Sequence, residues 1–303
     1  MILLNEITVL TREDAVSIAL LVLSQHRFMK SRRIFVATAL GLVSLGFSTL
    51  CRAEEVRPLK VLMVTGGCCH DYENQKHILA EGISARANVE FTIVHEEATK
   101  PDGSVDKAAK NHKISIYEKD DWAKGYDVVL HNECFGAVED VPFVERIAKA
   151  HFDGMPAVLL HCSTHSYRFC KTDEWRKVVG QRSMSHEKAR DLHVINIKPE
   201  HPVMKGFPSE WLDKKDELYK NEQLFDNFVP LAKAYGEETK KDHNLIWVNT
   251  YGKGKVFGTT MGHSNETMSD PVYLDLVTRG LLWACGKLDD NGKPLPGYES
   301  KQK

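Results

Sequence analysis

The strongest constraint on the fold is a set of short apolar runs spaced far apart, at residues 61–64, 91–94, 128–130 and 157–160. Runs without regular polar alternation read as strands covered on both faces, the signature of a parallel sheet inside an α/β layer structure. Between them, residues 74–87 and 141–152 carry helical periodicity. The order β-α-β-α predicts a flavodoxin-like, doubly wound, mostly parallel sheet. Residues 102–122 are polar and lysine-rich and predict a long surface loop with one short element. Beyond residue 186 the pattern changes, with a further strand expected at 193–197. Residues 245–250 and 255–260 flank Tyr251-Gly252-Lys253-Gly254, which predicts a C-terminal antiparallel hairpin. Asp270-Pro271 then opens a helix as N-cap and first-turn proline, with Tyr273, Val277 and Leu281 on its apolar stripe.

The first 53 residues belong to no such pattern. From Met29 the chain has a basic start, an apolar run over 34–50, and small residues at Cys51 and Ala53. This predicts a secretory signal at 29–53, cleaved after Ala53. The run is too short and too rich in Gly, Ser and Thr for stable membrane insertion. Arg32-Arg33 fits either a twin-arginine signal or the charged start of a general secretory one. Residues 1–28 precede this natural-looking start and read as a mis-assigned or non-structural extension. The globular part is expected over 58–286, and residues 287–303 as a flexible tail. The expected destination is the periplasm or the extracellular space.

A formal charge of −2 and 42% hydrophobic content suit a soluble globular protein. No basic–aromatic patch follows residue 60, so nucleic acid is not an expected partner. Six cysteines lie beyond the signal: Cys68, Cys69, Cys134, Cys162, Cys170 and Cys285. In an exported chain they allow one or two disulfides.

Ligands of open α/β sheets bind at the carboxyl ends of the strands. Here those ends carry Gly66-Gly67-Cys68-Cys69-His70-Asp71, His131-Asn132-Glu133-Cys134, His161-Cys162-Ser163-Thr164-His165 and Gly262-His263-Ser264-Asn265-Glu266. Four histidine-bearing loops on one rim predict a functional pocket. Three chemistries compete for it. Cys162 follows a buried strand as an elbow nucleophile would, but lacks the glycines such an elbow uses. His161, His165 and His263 can ligate a Zn-like divalent metal, with His161 and His165 spaced i, i+4. The acid–base reading asks least: His161, His165 and His263 exchange protons while Glu266 orients them or acts as base. His70, Asp71, Glu133, Tyr167, Arg168 and His186 then hold the substrate, with Tyr72 and Trp175 as further stacking candidates.

Several of these segments together resemble one family. Residues 60–67, 161–168, Trp175, Gly180, His186, His201-Pro202, Asp216-Glu217-Leu218-Tyr219, 251–257, Gly262-His263, Glu266-Thr267 and 280–284 are similar to the trehalose-utilisation ThuA-like family. The resemblance implies a class I glutamine amidotransferase-like fold and a role in catabolism of trehalose-type disaccharides through keto-sugars. It does not imply glutaminase activity, because that family tolerates other small residues at the Cys162 position. The expected partner is a small carbohydrate. A non-catalytic carbohydrate-binding module and a cysteine-dependent hydrolase or amidotransferase are the alternatives.

Overall fold

Along β1 (Leu59–Gly67) successive side chains enter two different cores: Val61 and Met63 one, Leu62 and Val64 the other. A strand buried on both faces needs apolar residues at every position, which is why these runs show no alternation. The computed structural model describes residues 56–301; the expected signal and the 1–28 extension lie outside the described residues. β1 pairs in parallel with β2 (Val89–His95) and β3 (Val128–Cys134). β4 (Ala157–Leu160) is parallel to both β3 and β11 (Gly254–Thr259). Helices α1 (Tyr72–Ser84) and α5 (Pro271–Ala284) bury Leu79, Ile83, Tyr273 and Leu281 in one core. Helices α2 (Val141–Asp153) and α3 (Glu174–Val179) bury Phe143, Ile147 and Trp175 in the other. This is the doubly wound α/β arrangement.

Among the described residues the sheet has nine strands, in the order β2-β1-β3-β4-β11-β10-β9-β6-β7. The expected hairpin is formed by β10 (Asp242–Tyr251) and β11. Its antiparallel pairing continues through β9 (Val229–Tyr235), β6 (Arg190–Asn196) and β7 (Glu210–Asp216). β5 (Gln181–Arg182) and β8 (Gln223–Leu224) form a separate small ribbon. Three successive reversals from β10 bring β7 back to the direction of the parallel strands, so its carboxyl end reaches the same rim. A short helix, α4 (Asn265–Ser269), precedes α5, and the Asp270 side chain accepts from Val272 N as the expected N-cap.

The segment expected as a flexible tail is instead docked. Asn88 N donates to Tyr298 O at 2.9 Å, Asn88 Nδ2 donates to Gly297 O at 2.8 Å, and Ala87 bridges Glu299. Its turns lie against Pro202 and Lys205 at Gly292 and against Val56 at Gly297 rather than forming a loose end. Among the described residues no helix is long and apolar enough to cross a membrane.

Helix α5 approaches β11 closely only because Gly280 lacks a side chain: a Cβ there would lie 2.3 Å from the Phe257 ring. Gly280→Ala is expected to cost about 1–3 kcal/mol through overpacking. The melting temperature should fall by about 2–12 °C. An unchanged thermal melt would show that α5 can shift without penalty.

Candidate functional site

β1 ends on Gly66 and Gly67, both at positive φ (129° and 123°) and still paired with β3, before the chain bends at Cys68. A Cβ on Gly67 would sit 2.4 Å from Cys134 O, so the backbone passes where no side chain fits. The bend carries a disulfide between the adjacent residues Cys68 and Cys69, then His70. Asp71 caps α1, accepting from Asn74 N at 3.3 Å.

At the end of β4 there is indeed an elbow, but its strained residue is His161, not Cys162. Leu160 is extended, and His161 follows at φ +43°, a conformation that costs a non-glycine residue roughly 1–2 kcal/mol. The strain is held in place: His161 Nδ1 donates to Thr260 O at 2.6 Å, and Thr164 Oγ1 donates to His161 O at 2.7 Å. This fixes the tautomer and turns the Nε2 lone pair toward the rim. Cys162 is bonded to Cys134 across a separation of 28 residues, tying β3 to the elbow. A loop of that length is worth about 3–4 kcal/mol in chain entropy. Disulfide-bonded, Cys162 has no thiolate, so the nucleophile reading lapses for the oxidised protein.

Four groups converge beside this elbow: His70, His161, His263 and Glu217, each offering a nitrogen or carboxylate oxygen within 4.8 Å of the others. Glu217 was not among the expected site residues. It follows β7 in a charged stretch, Lys214-Lys215-Asp216-Glu217, that reads as solvated surface; only the family resemblance singled it out. Glu217 Oε2 lies 3.6 Å from His161 Nε2, and Oε1 lies 3.5 Å from His263 Nδ1 and 3.6 Å from His186 Nε2. Its neighbour Asp216 is fully buried and accepts from Gly262 N at 2.8 Å, His263 N at 3.1 Å and its own neighbour Glu217 N at 2.6 Å.

These environments drive the proton affinities apart. Burial pulls His70 down to about 3, with His161 and His263 as repelling neighbours. Burial also pulls His161 down to about 4, although Glu217 opposes it. His263, half-buried against Glu217, is raised by that contact. Burial disfavours the Glu217 carboxylate, but His263, His161 and His186 overcome it and hold the group down to about 2. Neutral imidazoles, one more basic imidazole and an ionised carboxylate therefore share one wall. Such a set can exchange protons with a bound molecule.

The other expected residues divide between wall and core. His165 lines the cavity by its ring, stacked on Tyr219 at 3.9 Å, but both nitrogens are engaged. Arg168 Nη1 donates to His165 Nδ1 at 3.3 Å, and His165 Nε2 donates to Ser183 Oγ at 2.8 Å. The expected metal-ligand role for His165 is thus excluded by its hydrogen bonds, and the i, i+4 pairing with His161 fails because the segment is a 3-10 turn rather than an α-helix. Arg168 and His186 line the same cavity. Glu266 sits exposed on α4 along an outer groove that His70 and His263 also line, but the carboxylate that joins the converging histidines is Glu217. Asp71 lines that groove with its carboxylate held by Asn74 and Asn265. Glu133 is not at the rim: fully buried, it accepts from Tyr117 Oη at 3.0 Å and pairs with His131 at 2.9 Å. Tyr167, Tyr72 and Trp175 are also buried, Tyr167 and Trp175 in the helix-covered core, and none offers a stacking face.

The inner cavity has a volume of about 150 Å³ and is walled by both disulfides, His70, His165, Arg168, Glu217, Tyr219 and His263. It shares Cys69, His70 and His263 with the outer groove, an open depression of about 650 Å³.

The ThuA family model, described as trehalose utilisation, matches residues 60–284. The chain belongs to the ThuA family. Among solved structures, it is similar to a ThuA-like protein of Parabacteroides merdae, at 19% identity over 80% of this chain and 97% of that one, with a TM-score of 0.56. A ThuA-like protein of Bacteroides uniformis has the same TM-score at 14% identity, covering 78% of this chain and 96% of that one. At these identities the likeness is one of fold. No curated protein matches the chain. Family membership assigns this ThuA protein a role related to carbohydrate utilisation.

Two outcomes test the geometry. Under denaturing, non-reducing conditions iodoacetamide should label Cys170 and Cys285 but not Cys68, Cys69, Cys134 or Cys162; peptide mapping reads this directly, and a modified Cys162 would restore the thiol as a candidate. The second concerns Asp213, which burial and the adjacent Asp216 raise to about 9. A carboxyl raised on folding lends its full stability below the unfolded value of 3.8 and loses it as pH climbs toward the folded one. Asp213→Asn stays neutral and can still accept from Thr267, so its melting temperature relative to wild type should rise steadily between pH 4 and pH 9. A difference that is flat across that window would mean Asp213 is ionised in the fold.

Proposed function

We propose that this ThuA protein is an exported enzyme of carbohydrate catabolism that acts on a keto-disaccharide or related glycoside by acid–base chemistry. The observation that carries the reading is the split in proton affinity between His161 and His263 on either side of the ionised Glu217. A keto group acidifies the C–H bond next to it. Neutral His161, its tautomer fixed by Thr260, would take such a proton through Nε2. The electron pair left on carbon forms a double bond as the glycosidic C–O bond breaks. His263, kept more basic by Glu217, supplies the proton that the departing oxygen needs. Arg168, anchored to Met184 O at 3.2 Å, faces the cavity as a hydrogen-bond donor for a sugar oxygen. One ring would occupy the inner cavity and the second the outer groove. Export is supported by the signal-like 29–53 segment and by four cysteines joined in disulfides.

Turnover of a 3-keto-disaccharide, followed by mass spectrometry, tests this. His161→Ala and His263→Ala should each lower kcat by roughly 10²–10⁴-fold. Arg168→Ala should act mainly on KM. Unchanged turnover in both histidine variants would sink the assignment. Sugar-dependent thermal stabilisation without any product would instead identify a carbohydrate-binding module.

A further inference from the structure

The contacts of Glu217 with His161 and His263, at 3.6 and 3.5 Å, are too long for charge-assisted hydrogen bonds, which run about 2.7–2.9 Å. They run to different oxygens, Oε2 toward His161 and Oε1 toward His263, and each is near the spacing of donors around one ion, while all four groups offer a ligand atom within 4.8 Å of one another. Donor atoms sharing one tetrahedral ion at about 2.0–2.1 Å lie about 3.4 Å from one another. His70 Nδ1 and His263 Nδ1 are both buried without a hydrogen-bond partner, an unusual condition for two polar atoms on one wall. His161 is prepared differently: its Nδ1–H is committed to Thr260 O, which leaves the Nε2 lone pair to face the Tyr219 hydroxyl at 3.5 Å and Glu217 at 3.6 Å. An imidazole that donates its far N–H to a carbonyl is the usual second-sphere support of a metal-ligating histidine.

We propose that His70, His161, His263 and Glu217 bind one divalent transition-metal ion of the zinc class. Three nitrogens and one carboxylate oxygen favour zinc or a neighbouring first-row ion over magnesium or calcium, which prefer all-oxygen shells. The ligands come from four separate rim segments, following β1, β4, β7 and β11, and three of them are anchored. The His161 elbow is fixed by Thr260 and Thr164, and the His263 and Glu217 amides are fixed by Asp216. The site opens on the inner cavity, so an oxygen of a bound ligand can reach the ion. Metal binding does not depend on the carbohydrate reading, but the two compete for His161 Nε2: with an ion held there the proton transfer proposed above would not run through that atom, and a sugar carbonyl with an adjacent hydroxyl would meet the ion instead.

The test uses untagged protein stripped with EDTA and dialysed, then titrated with Co²⁺ and followed by its d–d absorption. Zinc stoichiometry is measured in parallel by elemental analysis. One ion per chain is expected, with a Kd of about 1 µM or tighter. His161→Ala and Glu217→Gln should each weaken binding by at least about 100-fold. Far-ultraviolet circular dichroism establishes that these variants are folded. His186→Ala removes an imidazole that also faces Glu217 but is outside the set, and should bind as wild type. Stripped wild-type protein that takes up neither ion, or folded His161→Ala and Glu217→Gln proteins that bind as wild type, would overturn the site. Stoichiometric metal without sugar turnover would uphold the site and sink the carbohydrate reading; turnover by protein that binds no metal would do the reverse.

Discussion

A single buried carboxylate, Asp216, holds the rim of this molecule together. Its oxygens accept the amides of Glu217, Gly262 and His263, joining the end of β7 to the loop after β11 although the two strands are separated by three others in the sheet. An ionised carboxylate fully out of water is tolerable only with such donors. Burial raises both carboxyls, and Asp216 pushes Asp213 further, to about 9, whereas hydrogen bonds from Asp213 and the three amides pull Asp216 back down, so the pair favours sharing one negative charge. That charge lies 3.8 Å from His161 Nδ1. The same interaction that fixes the backbone thus also supports the elbow imidazole.

The two disulfides complete the frame from the other side. Cys134–Cys162 ties β3 to the elbow and Cys68–Cys69 stiffens the turn before His70, so two of the converging histidines sit on covalently constrained loops. Cystine sulfurs are poor hydrogen-bond partners, and Cys68, Cys134 and Cys162 form a small apolar cluster with Tyr72 beside the cavity. A wall of this kind keeps water from competing with a bound ligand and strengthens the electrostatic coupling between Glu217 and its imidazoles.

How much of this was legible in the sequence follows from which residues are buried by periodic packing. β4 and the central runs of β1 and β3, residues 61–64 and 128–130, are apolar because helices cover both sides, and that pattern reads directly. The antiparallel half does not. β7 buries only Asp213 and Asp216 of its seven residues, so its sequence, EWLDKKD, looks like surface. β9 contains Pro230 and a lysine, which obscures its strand character. The site was legible to the same extent: strand-end reasoning found His70, His161 and His263, but Glu217 depends on β7 returning to the rim. Glu133 misled for the opposite reason. It lies on β3 near the rim, yet its side chain enters a buried His131–Tyr117 network that no local pattern announces.

The elbow shows how one backbone device can serve different chemistry. A strand that ends in a positive-φ residue presents that residue's side chain to the rim and pins it there, whatever the side chain is. Here the position carries an imidazole, and the thiol one residue later faces sideways into a disulfide with β3. Glycines flank elbows where the turn must be very tight; this one is stabilised instead by Thr164 and Thr260, which explains why a search for glycines missed it. Once an imidazole rather than a thiol occupies the pinned position, a covalent intermediate on sulfur gives way to chemistry that an imidazole can do. It can move a proton or hold an ion, and Glu217 and His263 stand where either task would need them.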